Sequence, residues 1–163
     1  IGILPEYHSI LCHDFWRAYG VYDAIHVVCH SHIKRELEKA REDYGQKWAN
    51  KLSKLLQGAN ELRNKQSGNL NWKQVQAIEK KYDRIIAKAE KKCPLKMKRK
   101  KERGRIGQDY PRQLLTRLKS RKSWVLMFLY DPRVPFTNNQ AERDIRMAKV
   151  QLGLLRELRG SVY

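Results

Sequence analysis

Two carboxylates in this chain have neighbours that suit metal chemistry. Glu142 follows Asn138 and Asn139, so one short stretch offers a carboxylate and two amide oxygens. Oxygen ligands of this kind are those that Mg²⁺ prefers. Asp14 directly follows the apolar run 9–13, which predicts a buried strand that ends at this residue. An acidic residue at the carboxyl end of such a strand is a common ligand or catalytic group in α/β sheets.

Each carboxylate also has an ordinary structural explanation. Glu142 has capping-box spacing with Asn139, and a glutamate in the first turn of a helix interacts favourably with the helix dipole. Asp14 could cap the short helix predicted over residues 15–19, which Gly20 would end. From the residues alone, both alternatives stay open.

Apolar patterns in the flanks predict the elements that would carry the two carboxylates. Residues 24–29 form a second β-branched run after the strand at 9–13, and from His30 the pattern becomes helical. The apolar run 124–130 predicts a helix that returns to this body. Pro135 and the polar residues after it predict the start of a last helix. The apolar face of that helix would consist of Ala141, Ile145, Ala148 and Leu152.

The middle of the chain has two long helical stripes. Apolar residues recur at helical spacing over 46–64 and again over 71–92, with a turn at 67–69 between them. Two such stripes joined by a short turn predict an antiparallel helical hairpin. Pro94 would end the second helix, and a further helix would begin at Tyr110.

The net positive charge of the chain arises from this middle. The net charge is +18, and residues 46–125 hold 24 Lys and Arg against 6 Asp and Glu, whereas the flanks are neutral. Such asymmetry indicates a polyanion partner, most often nucleic acid, and the alternative is a solvated basic face. The most basic run, 96–105, has no aromatic residue, so it predicts a mobile loop that contacts phosphate rather than bases. Its candidate DNA-binding residues are Lys96, Lys98, Arg99, Lys100, Lys101, Arg103 and Arg105.

Cys29 and His32 have the spacing of a metal-ligand pair. A zinc site would need about two further ligands, and the sequence has no second pair of this kind. Cys12, His26 and His30 could be recruited, but their spacing does not require it. A zinc-binding helical protein is therefore a competing hypothesis.

The residues around both carboxylates resemble one enzyme family. Residues 138–146, Asn-Asn-Gln-Ala-Glu-Arg-Asp-Ile-Arg, resemble the signature around the last catalytic carboxylate of the IS66-type transposases, a branch of the DDE recombinases. Residues 13–19, His-Asp-Phe-Trp-Arg-Ala-Tyr, resemble the segment with the second catalytic aspartate of that family. Residues 29–37 resemble the block that follows it, and the three segments come in the order of the family.

The resemblance implies a fold, a reaction and partners. The expected fold is α/β and mostly α: a partial RNase H-like core over 1–45 and 126–163, with residues 46–125 as a basic helical insertion. Asp14 and Glu142 would be catalytic residues and ligands of Mg²⁺ or Mn²⁺ in the cleavage and transfer of DNA strands. The implied partners are transposon ends and target DNA, on which the protein could form a homo-oligomer, in the nucleoid of a prokaryotic cytoplasm.

The resemblance also implies supporting roles around the carboxylates. Asn139 and Arg143 would orient Glu142 or contact phosphate. Cys29 and His32 would lie near the strand end, with His32 hydrogen-bonding in or beside the active site. Packing the last helix on the sheet would bring its glutamate beside the aspartate that ends the first strand.

The sequence departs from the family in one respect that matters for chemistry. A DDE site needs a first aspartate upstream of Asp14, and Glu6 is the one acidic residue found there. We therefore expect a fragment or a degenerate copy of a transposase that does not cleave or join DNA by itself. The alternative function is a non-catalytic, basic DNA-binding remnant.

The sequence argues against a membrane-spanning protein and against an exported protein. No apolar run approaches the length of a membrane span, and no export signal opens the chain, so we expect a soluble cytoplasmic protein without a membrane partner. The three cysteines, Cys12, Cys29 and Cys93, have no framework spacing and predict reduced thiols.

Overall fold

Two short strands and several helices make up the part of the chain that the computed structural model describes, residues 8–97, 106–139 and 143–147. The fold is α/β and mostly α, as the sequence predicts. Residue 139 and residues 143–147 are also helical. The other elements are, in chain order, β1 (Ile10–His13), a 3₁₀ helix (Arg17–Val21), β2 (Ile25–Val28), α1 (His30–Glu42), α2 (Lys47–Lys65), α3 (Trp72–Lys92), α4 (Tyr110–Ser120), α5 (Lys122–Leu126) and a second 3₁₀ helix (Met127–Leu129).

The two strands form a parallel pair, with Ile10 opposite Ile25 and His13 opposite Val28. Val27 and Val28 are fully buried. Both strands lie where the apolar runs predict them. Because the strands are parallel, their carboxyl ends lie at the same edge of the sheet.

The connection between the strands differs from the prediction. In place of a helix over 15–19 that Gly20 ends, a 3₁₀ helix begins at Arg17 and continues through Gly20 to Val21. The start is delayed because Phe15 has a left-handed backbone, with φ of 68°. The helix can pass through Gly20 because a 3₁₀ turn needs no left-handed residue to end it.

The predicted hairpin is present as α2 and α3, which pack against each other. The turn between them uses left-handed backbone at Ser67 and Gly68, with φ of 54° and 90°. A capping box between Asn71 and Gln74 starts α3. In α3, Ile86 is buried and Ile85 is half-buried against the same core. The buried apolar residues of the hairpin are Trp48, Ala49, Leu52, Leu56, Ala59, Val75, Ile78, Tyr82, Ile86 and Ala89.

One continuous apolar core joins the hairpin to the rest of the described chain. Helix α2 packs on α1 as well as on α3, and α4 contacts both α1 and α3. Helix α4, which begins at Tyr110 as predicted, is fully buried at Leu114, Leu115 and Leu118. The hairpin therefore buries its stripes partly against the flanking elements. The division into a core and an insertion at residues 46–125 stays a prediction.

The end of the described chain departs from the prediction in two ways. The helix expected over 124–130 is split into α5 and the second 3₁₀ helix. Ile145, expected to pack on the sheet, is 58% exposed, and all of residues 143–147 are exposed. Residues 136–139 instead contact the start of α1. The other residues of the predicted apolar face of the last helix lie outside the described residues: Ala141, Ala148 and Leu152.

Across residues 8–97, 106–139 and 143–147, no helix is long and apolar enough to cross a membrane.

Candidate functional site

The carboxyl ends of β1 and β2 form the base of the candidate site. The backbone N–H of Cys29 donates a hydrogen bond of 2.9 Å to the carbonyl of His13. Asp14 follows β1 directly, and Cys29 is the N-cap of α1. This hydrogen bond therefore brings Asp14 and the start of α1 to one edge of the sheet.

Asp14 is exposed, and only one of its carboxylate oxygens is used by the described chain. Its Oδ1 accepts a hydrogen bond of 3.2 Å from the backbone N–H of Trp16. This is a local turn contact, because the 3₁₀ helix has Trp16 as its N-cap and no side-chain cap hydrogen bond. Phe15 is buried, and the guanidinium of Arg117 lies 5.5 Å from its ring centroid. A left-handed backbone at a non-glycine residue costs about 1–2 kcal/mol. Burial of Phe15 offsets this cost and leaves the aspartate at the surface.

A pair of buried histidines lies behind the aspartate. His26 Nε2 is 3.0 Å from the carbonyl of Tyr22, and His26 Nδ1 is 3.3 Å from His13 Nε2. Because a carbonyl can only accept, His26 carries its hydrogen on Nε2 and accepts from His13 at Nδ1. Burial, with His26 nearby, lowers the pKa of His13 to about 4. Both rings pack against Trp124. His13 is therefore neutral near pH 7 and serves as packing for the strand end.

Residues 136–139 dock directly on the start of α1. The backbone N–H and Nδ1 of His30 each lie 3.1 Å from the carbonyl of Phe136, and the two rings stack at 4.1 Å. Ser31 Oγ donates to Asn139 Oδ1 at 2.8 Å. These contacts anchor the start of the last helix at the same edge of the sheet as Asp14.

We call the contact between residues 136–139 and the start of α1 the junction. Cys29 lies at its centre, and its side chain is unusually acidic. Its side chain is buried, and its Sγ accepts a hydrogen bond of 3.3 Å from the backbone N–H of Asn138. Hydrogen bonds from Cys12, then from Asn138, His32 and the backbone of Ser31, lower the pKa of Cys29 to about 3 against the opposing effect of burial. A helix N-terminus also favours a thiolate. Cys29 is therefore a buried anion that holds neighbouring donors in place.

Arg63 supports the same segment from α2. It is buried, and its Nη2 donates to the carbonyls of Pro132 at 2.8 Å and of Val134 at 2.9 Å. Sequence reasoning missed this residue. The available signal was its position, because Arg63 continues the apolar stripe of α2 at helical spacing after Leu56 and Ala59. A cation on an apolar stripe needs buried acceptors, and here they are the carbonyls of the loop before the last helix.

A pocket of about 290 Å³ lies beside this junction, between α1, α2 and residues 136–139. Its floor is apolar, and Lys34 is the cation at its edge among the described residues. The pocket is lined by His30, Ser31, Ile33, Lys34, Leu37, Ser53, Leu56, Gln57, Phe136, Thr137 and Asn139.

A family model described as "Transposase IS66 family" matches residues 2–153. The chain belongs to this family. No curated protein and no solved structure matches it significantly. The matched region includes both candidate carboxylates, so membership of the IS66 transposase family agrees with the resemblance seen in the three sequence segments.

Among the site residues predicted for this IS66 family member, four lie at or beside the junction. Cys29 and His32 hydrogen-bond to each other through their side chains. Asn139 contacts Ser31, and the exposed Arg143 donates from Nε to the carbonyl of Asn139 at 3.3 Å. Arg143 thus contacts the backbone of its own helix here.

The remaining predicted residues are only partly described. Glu142 lies outside the described residues, as do Lys98, Arg99, Lys100, Lys101, Arg103 and Arg105. Lys96 is described, and its Nζ pairs with Asp109 Oδ1 at 2.6 Å, so its charge is already compensated.

Within the described chain, no group of three His, Cys, Asp or Glu side chains is arranged to hold a metal ion. The zinc hypothesis based on Cys29 and His32 therefore has no site in this part of the chain. Cys12, Cys29 and Cys93 form no disulfide with one another.

Proposed function

We propose that this chain is the catalytic-core portion of a DDE transposase that acts on DNA ends, with an RNase H-like core. In this proposal, Asp14 and Glu142 are two of the carboxylates that hold Mg²⁺ or Mn²⁺. The observation that carries it is the docking of residues 136–139 on the start of α1. Membership of the IS66 transposase family supports the reaction class.

The docking supports a short distance between the two carboxylates. Cys29 is hydrogen-bonded to His13, which directly precedes Asp14, and Asn139 is hydrogen-bonded to Ser31. Glu142 follows Asn139 by three residues in the sequence. The described segments that precede the two carboxylates, residues 10–13 and 136–139, meet near one edge of the sheet, and this supports the proposed shared site.

The donor chemistry suits the proposed metal. Carboxylate oxygens are the preferred ligands of Mg²⁺, and one oxygen of Asp14 makes no hydrogen bond to a described residue. Metal ions bound there would activate the attacking oxygen and stabilise the leaving one. The protein itself would fix the geometry: Cys29 and Ser31 hold the first turn of the last helix, and Phe15 keeps Asp14 at the surface.

Mn²⁺ binding, followed by electron paramagnetic resonance, tests this proposal without needing catalysis. We expect a saturable Mn²⁺ site that Mg²⁺ displaces and that Asp14→Asn and Glu142→Gln each remove. Glu61→Gln is the matched control because it removes one exposed carboxylate of α2 that the proposal does not assign to the site. Mn²⁺ binding that survives Asp14→Asn, or that Glu61→Gln weakens equally, would contradict the proposal.

A second candidate function is a non-catalytic DNA-binding module of the same family. The specific observation in its favour is that the described residues contain no grouped set of metal ligands, whereas the middle of the chain is strongly basic. DNA binding that is tight without any saturable Mn²⁺ site would favour this second function.

A further inference from the structure

The charged residues of α3 separate onto two faces of the helix. Its acidic residues face α4 and α5 and form ion pairs with cations on those helices. Glu90 pairs with Arg112 at 3.1 Å and with Lys119 at 2.8 Å, and Lys122 pairs with Asp83 at 2.8 Å and with Glu79 at 3.6 Å. Arg112, Lys119 and Lys122 are therefore paired with carboxylates between helices, although the sequence analysis counted them toward a surface for polyanions.

The other face of α3 forms a cleft with α2 that has no such compensation. Lys47 and Lys51 of α2 lie across from Lys88 and Lys92 of α3, around a space of about 100 Å³. Trp48 and Ile85 complete the lining. All four lysines are exposed, and none forms an ion pair with a residue in the described ranges. We call these four lysines the lysine cleft.

We propose that the lysine cleft is a docking site for the phosphate backbone of DNA. In each helix the two lysines are four residues apart, so their ammonium groups project from the same face about one turn apart. Two facing rows of this kind match a run of phosphates better than a single small anion. Like charges held together in this way also repel, and a bound polyanion would relieve that repulsion.

The surroundings of the cleft favour backbone contact over base recognition. Trp48 is only 5% exposed, so it cannot offer its ring face for stacking on bases. We therefore expect binding that depends strongly on salt and weakly on sequence.

This inference rests on the DNA partner in the proposed function but uses a different surface. The sequence pointed to the run 96–105, whereas the cleft lies on the hairpin and ends at Lys92. Lys96, the part of that run that the structure describes, is already paired with Asp109. The cleft and the metal site can therefore be tested separately.

A pair of double variants tests the cleft. Lys51→Gln with Lys88→Gln removes one cation from each helix inside the cleft. Lys65→Gln with Lys73→Gln removes one cation from each helix at the turn end of the hairpin, where both side chains are exposed. The two proteins thus lose the same charge from the same two helices. Binding to a duplex DNA of random sequence is measured over a range of salt concentrations, and circular dichroism checks the fold.

We expect the cleft variant to lower the slope of log affinity against log salt by about two, because each lysine on a phosphate contributes about one. Its affinity deficit should then grow roughly threefold to fourfold for each halving of the salt concentration. The turn-end variant should keep the wild-type slope. Equal slopes for the two variants would contradict the proposal that the lysine cleft binds DNA. Wild-type protein that binds no DNA at all would contradict the proposal that DNA is the partner.

Polyglutamate serves as the competing polyanion. We expect it to displace duplex DNA only at a large excess of charge. Polyglutamate that binds the wild-type protein as tightly as DNA does, and that loses affinity specifically in the cleft variant, would identify an acidic protein as the partner and overturn the assignment to DNA.

Discussion

The backbone N–H of Asn138 donates to the Sγ of Cys29 at 3.3 Å, across 109 positions of the chain. This contact joins the start of the last helix to the end of β2. Because hydrogen bonds to Cys29 keep its thiol ionised, the acceptor is a charge, and charge-assisted hydrogen bonds are about twice as strong as neutral ones. The segment before Glu142 is therefore tied to the sheet edge by an anion.

The first prediction concerns the pH dependence of stability. The pKa of Cys29 is lowered from 9.0 to about 3 on folding, so between these values the unfolded chain binds one more proton at this site. The contribution of Cys29 to stability is fully present above its pKa in the unfolded chain. It is lost as the pH falls toward its pKa in the folded protein. We expect the free energy of unfolding to rise by up to about 1.4 kcal/mol per pH unit from this group.

Urea unfolding at pH 7 and pH 8 under reducing conditions measures this slope. The window lies above 6.5, the ordinary pKa of histidine, so His13 and His30, whose pKa values fall to about 4, together add only about 0.3 kcal/mol there. Cys29→Ser should lose the slope, and Cys93→Ser should keep it. A Cys29→Ser protein with the wild-type slope would show that Cys29 is a neutral thiol.

The second prediction concerns Arg63. Arg63→Met removes the donor for the buried carbonyls of Pro132 and Val134, so we expect a loss of roughly 3 kcal/mol in the free energy of unfolding. Lys65→Met, which changes an exposed cation on the same helix, should cost less than about 0.5 kcal/mol. Equal losses in the two variants would mean that Arg63 does not hold this loop.

The third prediction tests the distance between Asp14 and Glu142. A protein that carries both Asp14→His and Glu142→His should bind Ni²⁺ between the two imidazoles if the side chains are neighbours. At a hundredfold excess over the dissociation constant, Ni²⁺ should stabilise the fold by about 2.7 kcal/mol. Thermal unfolding with and without Ni²⁺ measures the effect.

The control for this experiment pairs Asp14→His with Glu61→His, which keeps the number of histidines and places the second one at an exposed position of α2. Neither this protein nor either single variant should gain stability with Ni²⁺. If the Asp14 and Glu142 pair also gains nothing, the two carboxylates do not share a site.

The fourth prediction concerns the basic run. Replacing Lys98, Arg99, Lys100 and Lys101 with Ala should weaken binding to duplex DNA at low salt without lowering the thermal stability. If all four contact phosphate, the salt slope should fall by about four. Unchanged affinity over the whole salt range would exclude this run from the surface that contacts DNA. The lysine cleft would then be the main part of that surface.

Local pattern in the sequence was enough to predict most elements of the fold. The β-branched runs gave β1 and β2, and apolar residues at helical spacing gave α1, the hairpin and α4. These features depend on neighbours within a few residues, because strand and helix periodicities are local properties of the backbone. The three segments around Asp14, Cys29 and Glu142 likewise indicated the IS66 transposase family before any geometry was known.

Periodicity identifies an apolar face but says nothing about its partner. Ile145 was expected on the sheet and is exposed, whereas residues 136–139 contact α1. Arg112, Lys119 and Lys122 were counted toward a surface for polyanions, but carboxylates on α3 neutralise them. Such pairings depend on which helices pack together.

The junction itself was decided by tertiary structure alone. Cys29, Ser31, Asn138 and Asn139 are all visible in the sequence, but their hydrogen bonds join residues more than a hundred positions apart. Arg63 became a buried clamp only because α2 packs beside the loop at 132–134. The sequence by itself determined which residues can do chemistry, and the packing of distant elements decided which of them meet, because a hydrogen bond requires contact in space rather than proximity along the chain.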